Sequence, residues 1–147
     1  MITWRSFESG MCNILSQMGY WALNIPKNPS GAQPFDIIAL AEKNNAMALD
    51  CKVCGKPTFP ISRVEANQWT ALSLIKSKLK DNVMAGVVIW YDGDVYYLSI
   101  EELKRAVKKG QKSIRISKSK FANSDKVQAS LWFSKEYIAT RFGITEW

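Results

Sequence analysis

The spacing of hydrophobic residues predicts helices and strands along the whole chain. An apolar stripe with steps of three or four predicts a first helix over residues 4–18, with Thr3 as its N-cap and Gly19 as its end. The stripe consists of Trp4, Phe7, Met11, Ile14, Leu15 and Met18. Glu8 lies beside it, and because most helical glutamates are exposed, the pattern by itself favours a solvated Glu8.

The stretch that follows predicts a hairpin with an acid at the outer end of each strand. Residues 20–25 predict a strand, and residues 26–31, with two prolines and a glycine, a loop. Residues 35–53 then predict two apolar strands joined by a polar turn. If that turn is centred on Lys43, Asp36 lies opposite Asp50, with Cβ atoms about 4.5 to 5.5 Å apart. A two-residue turn at 44–45 would slip the register and separate the aspartates.

One face of this hairpin combines charges that a strand core normally excludes. Alternation places the Lys52 side chain on the same face as Asp50 and the Cys51 side chain on the opposite face. Two neighbouring carboxylates and a lysine are costly to bury as a salt bridge unless a cation neutralises both acids. A shared metal ion and a buried salt bridge are therefore the two explanations that the pattern leaves open.

A second helix is predicted after the hairpin. Ser62 and Glu65 match a capping box, which predicts a helix that runs to about residue 80. Its core face would contain Val64, Gln68, Leu72, Ile75 and Leu79. Gln68 in this stripe needs a polar partner, which is either the backbone or the site around Asp50.

The second half of the chain predicts another hairpin and two more helices. Residues 84–98 form two apolar strands around an Asp-Gly-Asp turn. Ser99 and Glu102 match a capping box that begins a short helix. Ser134 and Gly143 are the predicted cap and end of a terminal helix. The aromatic and apolar surface expected to be buried here is Phe121, Leu131, Trp132, Phe133, Tyr137, Ile138 and Phe142.

Length, composition and charge limit what these elements can form. The chain has 147 residues, 47% of them hydrophobic, which predicts one domain spanning residues 1–147. It has 20 lysines and arginines against 13 acids, a net charge of +7, which favours an anionic partner such as nucleic acid. Three cysteines, no signal sequence and no apolar run long enough to span a membrane predict a soluble cytoplasmic protein.

A run of basic residues between positions 104 and 120 contains no acid. Its members are Lys104, Arg105, Lys108, Lys109, Lys112, Arg115, Lys118 and Lys120. A solvated lysine-rich face and a track for a phosphate backbone both explain such a run. We expect DNA contacts from Lys56, Arg63, Lys104, Arg105, Lys108, Lys112 and Arg115.

The absence of histidine narrows the chemistry. It removes the usual general base, the commonest zinc ligand and every nucleophile activated by histidine. Two facing carboxylates can instead hold Mg²⁺, a hard ion that keeps waters for phosphate oxygens to replace, and Mn²⁺ is a substitute. We expect Asp36, Asp50 and the Cys51 carbonyl as metal ligands, with Lys52 orienting the attacking water or neutralising developing charge. This arrangement predicts phosphodiester hydrolysis.

The same residues resemble a known nuclease signature. Pro34-Phe35-Asp36 followed by Asp50-Cys51-Lys52 resembles the PD-(D/E)XK motif, with one residue inserted after the proline. Further segments, spread over residues 4–116, follow in the order seen in RecU-type Holliday junction resolvases. They are Phe7-Glu8, Gly31 to Asp36, Phe59-Pro60, Asn67-Gln68, Tyr96-Tyr97-Leu98 and Gly110-Gln111-Lys112-Ser113-Ile114.

The resemblance implies a restriction-endonuclease-like α/β fold, with a central mixed β-sheet flanked by helices. It implies metal binding by Asp36 and Asp50, catalytic help from Lys52, and supporting roles for Glu8 and Gln68. It also implies a homodimer that nicks four-way DNA junctions symmetrically. RecU proteins carry a long stalk insertion before the first aspartate, and only residues 26–31 stand there in this chain, as in compact phage-like or archaeal-type resolvases.

Three other interpretations fit parts of the sequence. A related nuclease that cuts flaps, ends or duplex DNA would have the same site. A non-catalytic DNA-binding module would keep the basic run, although intact Asp36, Asp50 and Lys52 argue against it. A zinc or redox module built on Cys51 and Cys54 lacks ligands, because the third cysteine is distant and there is no histidine.

Overall fold

A mixed eight-stranded sheet carries the fold in the computed structural model, which describes residues 1–30, 33–43, 45–119 and 125–147. The strands are β1 (Trp21–Asn24), β2 (Ile37–Ala41), β3 (Asn45–Cys54), β4 (Thr58–Pro60), β5 (Val83–Tyr91), β6 (Asp94–Ser99), β7 (Ser113–Ile116) and β8 (Gln128–Phe133). The α-helices in these ranges are α1 (Trp4–Gln17), α2 (Ala66–Leu79), α3 (Ile100–Lys108) and α4 (Lys135–Phe142). The spatial order of the strands is β1-β2-β3-β5-β6-β8-β7-β4.

Helices cover both faces of this sheet and create two hydrophobic cores. α1 and α4 pack on one face, where Phe7, Met11 and Phe142 belong to the same buried cluster. α2 and α3 pack on the other face, where Leu72 and Leu103 belong to the second cluster. β3 and β5 are parallel neighbours in the middle of the sheet. Apart from Asn45, Asp50 and Lys52, their residues are apolar or small on both faces because both faces are covered.

The first helix forms where the sequence predicts it. Thr3 is its N-cap and accepts a hydrogen bond from the Ser6 amide, and Gly19, with φ of 95°, follows its end. Four members of the predicted stripe are buried, but Trp4 is 45% exposed and Met18 is exposed as well. These two residues lie at the ends of the helix, beyond the part of α1 that the sheet covers.

The β2–β3 hairpin has the predicted register. Ile37 pairs with Leu49 and Ala41 with Asn45, which centres the turn on Lys43. Lys43 has φ of 61°, the left-handed conformation that a tight turn requires. The Asp36 amide continues the ladder by donating to the Leu49 carbonyl at 3.0 Å. The two aspartates therefore occupy the facing positions that the sequence predicts.

The start of the second helix differs from the prediction. Ser62 lies in a 3₁₀ turn, Ile61–Arg63, and Val64 is extended, so the helix begins after Glu65. Gln68 closes the first turn, because its Oε1 accepts a hydrogen bond from the Glu65 amide at 2.9 Å. Val64 still reaches the core from outside the helix, whereas Leu79 at the far end is exposed.

The remaining elements follow local signals. Asp92 and Gly93 both have positive φ in the β5–β6 turn, and Ser99 caps α3 together with Glu102. Ser134 caps α4, and Gly143 ends it in the left-handed conformation. Of the predicted aromatic and apolar surface, Phe133, Ile138 and Phe142 are buried, whereas Leu131 and Tyr137 are exposed and Trp132 is partly buried. Gly31, Lys120 and Phe121 lie outside the described residues. None of the described helices is long and apolar enough to cross a membrane.

Candidate active site

The candidate site lies where β3 extends beyond β2. The β2–β3 ladder ends at Ile37 and Leu49, whereas β3 continues next to β5 as far as Cys54. The edge of β3 at Cys51 therefore has no strand partner on the β2 side within the described ranges. The Cys51 amide donates instead to Asp36 Oδ2 at 2.7 Å. Because the C=O and N–H of a strand residue point the same way, the Cys51 carbonyl also faces this opening.

Asp36 is held by three donors from different parts of the chain. Besides the Cys51 amide, Lys27 Nζ lies 2.8 Å and Gln33 Nε2 3.0 Å from Asp36 Oδ1. The Gln33 carbonyl accepts a hydrogen bond from Asn67 Nδ2 at 2.7 Å, which ties this loop to α2. The Cys51 side chain is buried in the core under α1, on the opposite face from Asp50, as alternation predicts.

Asp50 is the most buried charged residue of the site, at 1% exposure. Gln68 Nε2 donates to its Oδ1 at 3.0 Å, and Lys52 Nζ lies 3.0 Å from its Oδ2. The Lys52 contact is an ion pair without good hydrogen-bond alignment, so Oδ2 accepts no hydrogen bond from the described residues. Gln68 Oε1 also accepts from Lys52 Nζ at 3.3 Å. Gln68 therefore has both of the partners considered for it, the backbone at Glu65 and the side chain of Asp50.

Glu8 enters the same site from the opposite face of the sheet. It is 2% exposed, so the solvated position that its pattern favoured is wrong. The α1 helix packs on the sheet through Phe7 and Met11, and Thr3 and Trp4 at its start line the same cleft as Glu8. Lys27 Nζ lies 3.1 and 3.2 Å from the two Glu8 oxygens and joins Glu8 to Asp36.

Lys27 and Gln33 are site residues that the sequence analysis missed. Both lie in the segment between β1 and β2, which carries no regular structure in its described parts. The charges of the predicted site offered a signal for the missed lysine. Its three acids were matched by one predicted cation, Lys52, so a further cation was needed to balance the negative charge. The loop lysine that precedes the first aspartate was the nearest candidate.

The two aspartates have pKa values displaced in opposite directions. Burial and then the negative charge of Asp36 raise the pKa of Asp50 to about 7, against the opposing effect of Lys52. Burial also opposes ionisation of Asp36, but hydrogen bonds from Asp50, Lys27 and the Cys51 amide outweigh it and lower the Asp36 pKa. Asp36 is therefore the acid of the pair that ionises readily, and Asp50 is the one that resists ionisation.

The glutamate and its lysine partner are also perturbed. Burial and the charge of Asp36 raise the pKa of Glu8, and Lys27 offsets only part of this effect. Burial lowers the pKa of Lys27, but its hydrogen bonds to Asp36 and Glu8 outweigh burial and raise it. Lys27 is therefore a stable ammonium in this environment.

The donor set fits a hard divalent cation with few protein ligands. Within the described residues, no three His, Cys, Asp or Glu side chains form a ready-made metal site. Mg²⁺ needs one or two carboxylates and keeps several waters. Asp36, Asp50 and the Cys51 carbonyl all face one opening, and the buried Oδ2 of Asp50 lacks a hydrogen-bond donor. Nothing in this donor set resembles the thiolate and imidazole shell that zinc prefers.

The predicted DNA-binding residues do not all surround this site. A cleft of about 500 Å³ contains the site, and Arg63 is the one predicted DNA-binding residue among the described residues that line it. Arg63 donates to the Val53 carbonyl at 3.0 Å, which fixes it at the rim. The other six are exposed elsewhere on the surface: Lys56, Lys104, Arg105, Lys108, Lys112 and Arg115.

Two lysines of the basic run contact oxygen atoms from other parts of the chain. Lys118 lies 3.3 Å from the buried Asp94 carboxylate, which the linear sequence does not bring near it. Lys109 donates to the Asp125 carbonyl. Lys104, by contrast, borders a groove with Val64 and Trp69 at the start of α2, close to Gln68 in sequence. The α3 part of the run thus neighbours the helix that supplies Gln68.

Comparison with protein-family models and with curated protein sequences finds no match. The chain is an α/β protein with a mixed sheet and helices on both faces, as predicted, and this fold matches that of a solved nuclease. A solved structure with this fold is that of Hjc, a Holliday junction resolvase from the archaeal hyperthermophile Archaeoglobus fulgidus. The TM-score is 0.52 at 15% sequence identity, over 67% of this chain and 74% of Hjc. At this identity the likeness establishes the fold.

Proposed function

We propose that this protein is a Mg²⁺-dependent DNA endonuclease that resolves four-way (Holliday) junctions by phosphodiester hydrolysis. The observation that carries the proposal is the meeting of Asp36, Asp50 and Lys52 with Glu8 and Gln68 in one cleft. These five residues come from two faces of the sheet, and four of them are buried polar groups. Carboxyl groups with shifted pKa values that lie together in a cleft are typical of catalytic sites. The fold shared with a junction resolvase supports the substrate class.

Asp36, Asp50 and the Cys51 carbonyl would hold the metal ion. When bound, Mg²⁺, or Mn²⁺ in its place, would polarise the phosphodiester and lower the pKa of the attacking water. Lys52 is placed by Asp50 and Gln68 to orient that water or to balance charge on the phosphate. Gln68 fixes Asp50 and Lys52 relative to each other, and Glu8 fixes the Lys27 ammonium beside Asp36.

The proposed partner is branched DNA bound by a homodimer. The net charge of +7 and the exposed cations of α3 support an anionic partner. Two copies related by a twofold axis would cut opposite strands of a junction symmetrically. Trp21, Leu23 and Leu40 are exposed on the outer strands β1 and β2, an apolar surface of the kind that protein contacts cover. Sedimentation at the mass of one chain would contradict the dimer.

A junction cleavage assay tests the proposal. The purified protein should nick a synthetic four-way junction in Mg²⁺ and leave linear duplex of the same sequence largely intact. Equal cutting of both would replace the resolvase proposal by a related nuclease acting on duplex, flaps or ends. Junction binding without any cleavage in Mg²⁺ or Mn²⁺ would indicate a DNA-binding module.

Asp50→Asn separates catalysis from binding. The change keeps the size and the hydrogen bond to Gln68 but removes a metal ligand and its charge. We expect cleavage to fall at least about 10²-fold, the scale of losing one preorganised electrostatic group, while junction affinity is retained. Asp81→Asn, at an exposed acid that follows α2, is the matched control. Undiminished cleavage by Asp50→Asn would remove the hairpin from the mechanism.

A further inference from the structure

Lys27 places a positive charge between two buried acids of the site. Its Nζ lies 2.8 Å from Asp36 Oδ1 and within 3.2 Å of both Glu8 oxygens. The side chain is 40% exposed, whereas both acids are buried, so the lysine reaches them from the rim of the cleft. Nζ also lies 4.8 Å from the centre of the Trp4 ring, which borders the same cleft.

The hydrogen bonds of Asp36 fill the acceptor positions of its Oδ1 atom. Oδ1 already faces two donors, Lys27 Nζ and Gln33 Nε2, and a carboxylate oxygen has about two acceptor positions. Oδ2 accepts from the Cys51 amide, which belongs to the sheet backbone and cannot move away by itself. A metal ion that binds Asp36 on Oδ1 must therefore displace a side chain, and Lys27 carries the charge that repels it.

The charge of the cluster leads to the same conclusion. Glu8, Asp36 and Asp50 are opposed by two ammonium groups, those of Lys27 and Lys52. Adding a divalent cation without moving either lysine would give the buried cluster an excess of positive charge, which burial disfavours. Lys27 is the lysine able to leave, because it is more exposed than Lys52 and lies on a loop. Its long flexible stem allows the ammonium to swing outward.

We infer that Lys27 is a built-in counter-cation that competes with the divalent metal ion for Asp36 and transfers to a DNA phosphate when metal and substrate bind. This inference rests on the proposed function. A DNA phosphate at the cleft offers the displaced ammonium a new anionic partner. DNA binding therefore promotes metal binding, and by reciprocity metal binding promotes DNA binding. Lys27 is a positioning residue in this scheme, since it controls when the metal ligands are free.

Metal titration of Lys27→Met tests the inference without relying on cleavage. Calorimetric titration with Ca²⁺ in the absence of DNA should give a Kd about tenfold lower for Lys27→Met than for wild type, within the usual range of coupling effects. A four-way junction should tighten Ca²⁺ binding strongly in wild type and much less in Lys27→Met. Gels run after each titration confirm that the DNA is intact. Loss of a purely structural contact would weaken metal binding, so the direction of the change is diagnostic.

Two further variants keep the test decisive. Lys78→Met, at an exposed lysine near the other end of α2, is the matched control and should bind Ca²⁺ as wild type does. If Lys27→Met does not fold, Lys27→Gln removes the charge but can still donate a hydrogen bond to Asp36. Equal or weaker Ca²⁺ affinity in the folded Lys27 variant, or no Ca²⁺ binding in either protein, would overturn the inference. Wild-type cleavage of the junction is scored separately, so failure of the nuclease proposal is distinguishable from failure of this one.

Discussion

At the scale of single residues, the site is defined by buried charges with incomplete compensation. Asp50 is almost fully buried, yet one of its oxygens receives no hydrogen bond from the described residues. The neighbour of that oxygen is the Lys52 ammonium, 3.0 Å away. Gln68 fixes both charged groups, because its amide bonds both Asp50 and Lys52.

The raised pKa of Asp50 predicts how stability depends on pH without metal. An aspartate in the unfolded chain has a pKa of about 3.9, whereas that of Asp50 in the fold is about 7. Between these values the folded protein binds more protons, so the free energy of unfolding should fall as pH rises from about 4 to about 7. The raised pKa of Glu8 acts in the same direction. The lowered pKa of Asp36 has the opposite effect. It makes the free energy of unfolding rise with pH, but only at the lower pH values where Asp36 loses its proton.

Urea unfolding in EDTA at several pH values between 5 and 8 measures this effect. Wild type should lose stability across the interval, and Asp50→Asn should show a much smaller slope because the asparagine does not titrate. Asp81→Asn should retain the slope of wild type. Parallel curves for wild type and Asp50→Asn would contradict the assigned pKa of Asp50.

At the scale of secondary structure elements, unequal strand lengths create the site. β2 covers only the first half of β3, so the second half presents its edge and its charged residues to the cleft. β5 supports that second half, since Asp50 pairs with Val87 and Lys52 with Ile89. The packing of β5 against β6 is therefore a structural requirement of the site.

Gly86 on β5 tests this requirement. A Cβ at Gly86 would lie 2.3 Å from the Leu98 carbonyl oxygen and 2.8 Å from the Ser99 Cα, both backbone atoms of β6. Gly86→Ala should therefore lower the free energy of unfolding by about 1–3 kcal/mol, because strands must shift to make room. Gly55→Ala is the control, since nothing lies within 4 Å of a Cβ there, and should change stability by about 0.5 kcal/mol or less. Equal denaturation midpoints for the two variants would contradict this account of the β5–β6 contact.

At the scale of the whole molecule, the exposed cations of α3 lie near α2, the helix that supplies Gln68 to the cleft. The net charge is +7, and the exposed face of α3 carries Lys104, Arg105 and Lys108. α3 packs on the same face of the sheet as α2, and Lys104 borders the groove at the start of α2. A DNA backbone that enters the cleft past Arg63 would therefore have further cations beside its path.

Salt dependence of DNA binding tests the role of α3. Replacing Lys104, Arg105 and Lys108 with glutamine should weaken junction binding and reduce the slope of log K against log salt by about 0.9 for each lost phosphate contact. Lys43→Gln combined with Lys78→Gln is a control in which exposed lysines are lost from elsewhere on the surface. A slope unchanged from that of wild type would assign the α3 lysines to an ordinary solvated face.

The sequence by itself determined the features that depend on near neighbours in the chain. Thr3 and Gly19 bound α1, Ser99 and Ser134 cap their helices, and the turn at Lys43 sets the β2–β3 register. Each depends on hydrogen bonds or backbone angles within a few residues, which the residue types specify directly. The facing positions of the two aspartates followed from that register, and so did the expected metal ligands.

Only the tertiary structure decided which other residues join them. The position of Glu8 in its helix fits either solvent or core, and it is the packing of α1 on the sheet that buries it. Lys27 reaches Glu8 across 19 positions of the chain, and Lys118 meets Asp94 through the pairing of distant strands. Helix α2 begins after Glu65 and not at Ser62, and the extended Val64 between them is buried in the core. Such contacts depend on how separate elements pack, and no local pattern of residues encodes that packing.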